Sequence, residues 1–177
     1  RELGADIVDA DEISHNLTEK TSSYFQEIVD HFGITLLDSD DNIDRAVLRE
    51  IVFNNPAEKQ WLEELLHPAI RNEIENRLRQ TKSAYVILVV PLLLETENYS
   101  FVNKVLVVDV PESVQVARIK HRDNIPVDLI QQIIATQISR QERLDKADDI
   151  LYNDSSPEEV MFHVQQLHKQ YLGLGSN

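Results

Sequence analysis

The stretch IVDADEISH, residues 7 to 15, closes a short apolar run with two acids one residue apart, Asp9 and Asp11. Carboxylates at a strand tip lie where α/β proteins bind ligands, outside the carboxyl ends of parallel strands. A carboxylate there can take a proton from an attacking hydroxyl. Asp11 can equally be the cap of the next helix, accepting a backbone N–H near Ser14. A second set of residues is basic. Arg118 and Arg122 stand four apart on one helical face, and Arg140 and Arg143 follow an isoleucine-rich helical stretch. Guanidinium forks suit phosphate oxygens; the alternative is a solvated face pairing with Glu142 or Asp145. A third set is VVPLLLETE, where Pro91 stops a buried run and Glu95 follows. Leu92 to Leu94 there either line a pocket or seal the core. Asn153 ends the short run DILYN and says little alone.

Composition limits what these groups can serve. Lys and Arg number 17 against 31 Asp and Glu, a formal charge of −14. A general nucleic-acid surface is therefore not expected, and an anionic ligand must meet a local cluster of bases. There is no cysteine, hence no disulfide and no thiolate metal site. The six histidines form no HExxH, and His163 and His168, five apart, read as ordinary helix residues; no metal-ligating set is assigned. No run of eighteen apolar residues spans a bilayer, and a cytoplasmic location without membrane partners is the expectation. The four glycines, Gly4, Gly33, Gly173 and Gly175, cannot build GxxxxGK[ST] or a complete GxGxxG.

These residues must be held by elements that the hydrophobic pattern marks out. DIVDA at 6–10, AYVILVV at 84–90, KVLVVDV at 104–110 and, weakly, DILY at 149–152 are unalternating and rich in Val and Ile. Such runs predict strands covered on both faces, as in a parallel sheet between helices. Val47, Leu48, Ile51 and Val52 share one helical face, and Trp61, Leu62, Leu65 and Leu66 continue the pattern until His67-Pro68, which should break or kink it. Residues 20–82 hold more helix than one crossover needs and predict an inserted helical subdomain. A second excursion, residues 112–144, carries Ile130, Ile133, Ile134 and Ile138 beside its arginines and reads as a flap. Ser156-Pro157-Glu158-Glu159 is a capping signature ahead of Val160, Val164, Leu167 and Tyr171. RELGAD predicts the last turn of a helix closed by Gly4.

In this order the segments resemble bacterial dephospho-CoA kinases: LGADIVDADEISH, IDRAVLREIVFNNPAEKQWLEELLHPAI, VVPLLLET, VLVVDVPESVQVARIKHRD, QIIATQISRQERLDKADDILYND and the final helix. The resemblance covers nearly the whole chain. It implies an α/β P-loop kinase fold: a three-layer, five-stranded parallel sheet core made of residues 1–19, 83–111 and 145–177, an inserted helical CoA-binding subdomain at 20–82 and a helical lid at 112–144. It implies transfer of the ATP γ-phosphoryl group, with Mg²⁺, to the ribose 3′-hydroxyl of dephospho-CoA, the last step of coenzyme A synthesis, by a monomer. Asp11 then matches the base and Arg118 the lid arginine facing the phosphates. Asp9, Arg45, His67, Pro91, Leu92 and Glu95 match acceptor-side positions, and Arg122, Arg140 and Asn153 the nucleotide side. The family opens with a strand, a GGIGSGKST-like loop and a helix. The chain begins at Arg1, so that segment is expected upstream of what is given. Another P-loop nucleoside or nucleotide kinase, and a non-catalytic binding protein without a P-loop, are the competing readings.

Overall fold

The computed structural model describes residues 1–95, 99 and 101–174. The chain divides into two compact units, Arg1–Pro91 and Leu92–Asn177. Thr96 and Glu97 of the PLLLETE stretch, and Gly175, lie outside the described residues.

In the first unit, β1 (Asp6–Asp9) pairs in parallel with β2 (Val86–Val89), Asp6 opposite Val86 and Asp9 opposite Val89. The Asp6 carboxylate accepts the N–H groups of Lys82 and Ser83, while the Asp6 N–H donates to Ser83 Oγ, which ties the approach to β2 against the start of β1. Between the strands run α1 (Ala10–Leu17), α2 (Ser23–Phe32), α3 (Arg45–Asn54) and α4 (Pro56–Gln80). Each starts on a side-chain cap: Ser22 accepts the Tyr24 N–H, Asp44 those of Ala46 and Val47, and Asn55 that of Ala57, with Pro56 in the first turn. Gly33, at φ +86°, ends α2 in a conformation that other residues rarely adopt. The two apolar stripes meet, Val52 excepted. Val47, Leu48 and Ile51 of α3 and Trp61, Leu62 and Leu65 of α4 pack around buried Ile28, Leu36, Ile43 and Leu66. Trp61 stacks on His31 with ring centres 3.6 Å apart and planes 7° from parallel, Phe32 meets both edge-on, and His31 Nε2 lies 2.5 Å from Glu58 Oε2.

One sequence expectation fails in this unit. His67-Pro68 does not break the helix: Pro68 lies inside α4, which runs unbroken over its 25 residues from Pro56 to Gln80. Proline there removes one amide bond to the carbonyl of Glu64, but buried Leu66, Ala69 and Ile74 anchor the helix on both sides of the gap. Tertiary packing outweighs the local penalty. Arg1–Gly4 form a turn, closed by the Gly4 N–H on the Arg1 carbonyl at 2.8 Å with Gly4 at φ +84°.

In the second unit, β3 (Leu106–Asp109) and β4 (Asp149–Tyr152) are parallel, with Asp109 opposite Tyr152. They are joined through α5 (Glu112–Asp123), α6 (Val127–Ala135) and α7 (Arg140–Asp145), and α8 (Pro157–Leu174) packs against β4. The isoleucine stripe of α6 is only partly covered, Ile130 being fully buried and Ile133 44% exposed. A full capping box that the sequence reading passed over starts α7: Ser139 and Glu142 satisfy each other's backbone N–H groups. Ser156 does accept the Glu159 N–H ahead of α8, whose inner face carries Val160, Val164, Leu167 and Tyr171. Tyr171 anchors that face by donating to Asp149 at 3.0 Å.

The structure is thus an α/β fold with parallel strands, and the four strands among the described residues form two separate pairs where five in one sheet were implied. Cover on both faces is incomplete, since Val89 is 38% and Val108 58% exposed. A two-stranded pair has an edge on either side, and the crossover helices shield only part of it.

Candidate active site

Asp9 and Asp11 stand at the carboxyl end of β1, and their roles divide differently from the first expectation. Helix α1 begins at Ala10, so the cap is Asp9, whose extended backbone turns its Oδ1 onto the N–H groups of Asp11 (2.9 Å) and Glu12 (3.3 Å). A carboxylate one residue further on is already inside the helix and cannot reach back to those donors. Asp11 is therefore not the cap. It sits exposed in the first turn, where the helix dipole favours an anion, and its carboxylate has no hydrogen bond or ion pair among the described residues. Its neighbour Glu12 is occupied by Arg77 at 3.2 Å and Arg1 at 3.6 Å.

The other end of α1 opens onto a groove of about 670 Å³ whose walls include His15, Thr18, Lys20, Asp38 and Arg45. Arg45 is the first residue of α3 and reaches across it: Nη2 donates to Thr18 Oγ1 at 2.8 Å and to the His15 carbonyl at 3.3 Å. Lys20 donates to the Asp40 carbonyl. The loop beneath is set by Asp38, whose Oδ1 accepts the N–H groups of Asp40 and Asn42 at 2.9 Å each. Seven residues separate Asp11 from Thr18, so at 1.5 Å per residue the free carboxylate and the groove lie about 10 Å apart along the helix. His67, exposed on α4, and Pro91, exposed after β2, join none of these contacts.

In the second unit a network forms at the carboxyl ends of β3 and β4. Asp109 is 2% exposed and is the buried charged residue there. Arg140 grips it side-on, with Nε at 2.9 Å from Oδ1 and Nη2 at 2.5 Å from Oδ2. The bonds from Arg140 hold the Asp109 carboxyl below its ordinary range against the opposing effect of burial. The Asp109 carbonyl accepts the Asn153 N–H at 2.9 Å, and the Asn153 carbonyl accepts Arg118 Nη2 at 2.8 Å. Three of the residues singled out in the sequence, Arg118, Arg140 and Asn153, thereby meet at one place. Arg122 does not; both its bonds, at 2.7 Å, go to adjacent Asp123. Glu95 accepts the Ile138 N–H at 3.2 Å and Arg143 donates to the Ile138 carbonyl, so the turn after Leu92 is fastened to the start of α7. Asp109 itself was missed. Its signal was present in KVLVVDV, an acid ending an apolar strand as Asp9 does.

Comparison with known proteins shows the family. The family model described as dephospho-CoA kinase matches residues 1–159. The chain belongs to the dephospho-CoA kinase family. Dephospho-CoA kinase of Idiomarina loihiensis is 46% identical over 170 residues, covering 96% of this chain and 84% of the relative. That of Escherichia coli strain K12 is 41% identical over 175 residues, covering 99% and 85%. A solved dephospho-CoA kinase from Campylobacter jejuni superposes with a TM-score of 0.65 at 30% identity, covering 96% of this chain and 88% of that one. A crystal structure from Thermus thermophilus, with a TM-score of 0.78 at 21% identity and coverage of 96% and 86%, is alike in fold. As a member of the dephospho-CoA kinase family, the chain is a kinase.

Proposed function

We propose that this chain transfers the γ-phosphoryl group of ATP to the ribose 3′-hydroxyl of dephospho-CoA, yielding CoA and ADP. Family membership across residues 1–159 carries the assignment of activity. The finer reading is that the sheet is that of a P-loop kinase, that residues 20–82 hold the acceptor and that residues 112–144 act as a lid.

Phosphoryl transfer asks a protein chiefly to position groups and to stabilise charge. The 3′-oxygen forms a bond to the γ-phosphorus as the bond to the β–γ bridging oxygen breaks, and the hydroxyl proton leaves. Asp11 receives that proton, because it is the carboxylate at the β1 tip not committed to backbone donors. Asp9 keeps Asp11 in place through the cap. Arg118 and Arg140 donate to the phosphate oxygens, each tethered by one side and retaining further N–H groups. Arg45 and the groove beside it bind the acceptor, with His67, Pro91, Leu92 and Glu95 on that side; Arg122 and Asn153 serve the nucleotide side.

Mg²⁺ accompanies ATP in this reading. No group of three or more acids and histidines is placed to hold a metal among the described residues. Magnesium commonly uses one or two carboxylates, with substrate phosphates and water completing the shell, and Asp9 at the β1 tip would fit that modest role through the metal's waters, leaving Asp11 free as the base. When bound, the ion neutralises phosphate charge.

Coupled detection of ADP from the full-length protein with dephospho-CoA tests the proposal, nucleosides and nucleoside monophosphates serving as competing acceptors. Turnover with dephospho-CoA alone is expected. Preferential phosphorylation of a nucleoside or a nucleoside monophosphate would overturn the acceptor assignment.

A further inference from the structure

We propose that Asp109 is a positioning residue that aims Arg140 at nucleotide phosphates from the end of β3. The inference rests on the reading of the chain as an ATP-dependent kinase.

The geometry begins with how Arg140 is held. Its Nε and Nη2 contact the Asp109 carboxylate, which occupies the side-on edge of the guanidinium. Of the five N–H donors, those of Nη1 and the second on Nη2 are left over. They suit two oxygens of one phosphate. Arg140 is 43% exposed while its partner is 2% exposed, so the pair is anchored inside and open outside. Arg118 reaches the same strand end through main chain alone, Asp109 carbonyl to Asn153 N–H and Asn153 carbonyl to Arg118, so it stays in place whatever side chain stands at 109. Because β3 and β4 are parallel and both end here, this is also where ligands of parallel sheets sit.

Stability alone is a weak reason for this arrangement. A buried ion pair can often be replaced by apolar side chains without loss, because desolvation offsets the attraction. Orientation is what such a pair provides that leucine cannot. Asp154 also lies close enough for its charge to act on Arg140. Without the Asp109 tether, the guanidinium would have Asp154 as a competing partner.

The test uses full-length protein and the near-isosteric change Asp109→Asn. ATP affinity is measured by calorimetric titration without the acceptor, and KM for each substrate by steady-state kinetics. The expected result is a loss of about tenfold or more in ATP affinity and a matching rise in KM for ATP, with KM for dephospho-CoA unchanged. In an Arg140→Ala background the same change should have little further effect, as expected for residues acting through one contact. Unchanged ATP affinity, or both KM values rising together with the melting temperature falling, would overturn the inference. If Asp109→Asn does not fold, Asp109→Glu gives the same readout, since it keeps the charge but displaces the fork by one methylene: a tenfold weaker ATP affinity supports the inference and an unchanged one overturns it. Should wild type bind ATP but leave dephospho-CoA untouched, the acceptor assignment fails, and the ATP titrations still decide the role of Asp109.

Discussion

At Asp11 the amide substitution separates chemistry from structure. Asp11→Asn leaves the Asp9 cap intact, and the lost favourable interaction with the helix dipole amounts to roughly 0.5 kcal/mol at an exposed site. The melting temperature should stay within a few degrees, whereas kcat should fall by on the order of 10² or more because the amide takes up no proton. Thermal melting and steady-state turnover on the same preparation check both halves. Asp9 predicts the reverse order of sensitivity: Asp9→Ala should cost about 1 kcal/mol by removing the cap, and Asp9→Asn very little, since asparagine caps nearly as well. Arg118→Ala should lower kcat by on the order of 10³, the scale of a phosphate-facing arginine, with Arg118→Lys restoring only part of it. A rise confined to KM for ATP would make Arg118 a binding group instead.

Among the elements, α4 offers the sharpest test, because a proline inside an unbroken helix is a local penalty carried by its packing. Pro68→Ala restores an amide bond at an exposed position, so the variant should be more stable by roughly 1 kcal/mol or more, out of the 3 kcal/mol that interior proline costs. Urea titration would show a raised midpoint with the slope unchanged. The same helix shows what the sequence could and could not tell. DILY was read as a strand with its boundaries right, and the stripes of α3 and α4 were legible, because apolar spacing is set by the face each element buries. The continuity of α4 was not legible, because it depends on Leu66 and Ala69 finding partners far along the chain. Likewise DAD advertised a cap, but choosing between Asp9 and Asp11 required knowing that α1 starts at Ala10. Asp109 was invisible as a partner of Arg140, since 31 residues separate them and only folding brings them together.

Across the whole molecule, acid sensitivity follows from carboxylates whose folded environment favours the ionised form. Asp6 is held low chiefly by the Ser83 N–H, Asp38 by that of Asn42, Glu142 by Ser139 Oγ and Asp109 by Arg140. Each binds its proton less readily folded than unfolded, so the unfolded chain takes up more protons as pH falls. Their stabilisation is complete above the ordinary carboxylate range and is lost as pH drops through the depressed folded values. Melting temperature should therefore fall steadily below about pH 4, and Asp109→Asn should blunt that fall.

The stack of Trp61 on His31 has an optical consequence. Trp61 is the chain's one tryptophan, so its emission on excitation near 295 nm reports on the α2–α4 packing of the first unit. Far-ultraviolet circular dichroism sums over helices in both units. If the two units melt together, the fluorescence and dichroism transitions in denaturant will superimpose; if they melt separately, the tryptophan trace will follow only one step of the dichroism curve.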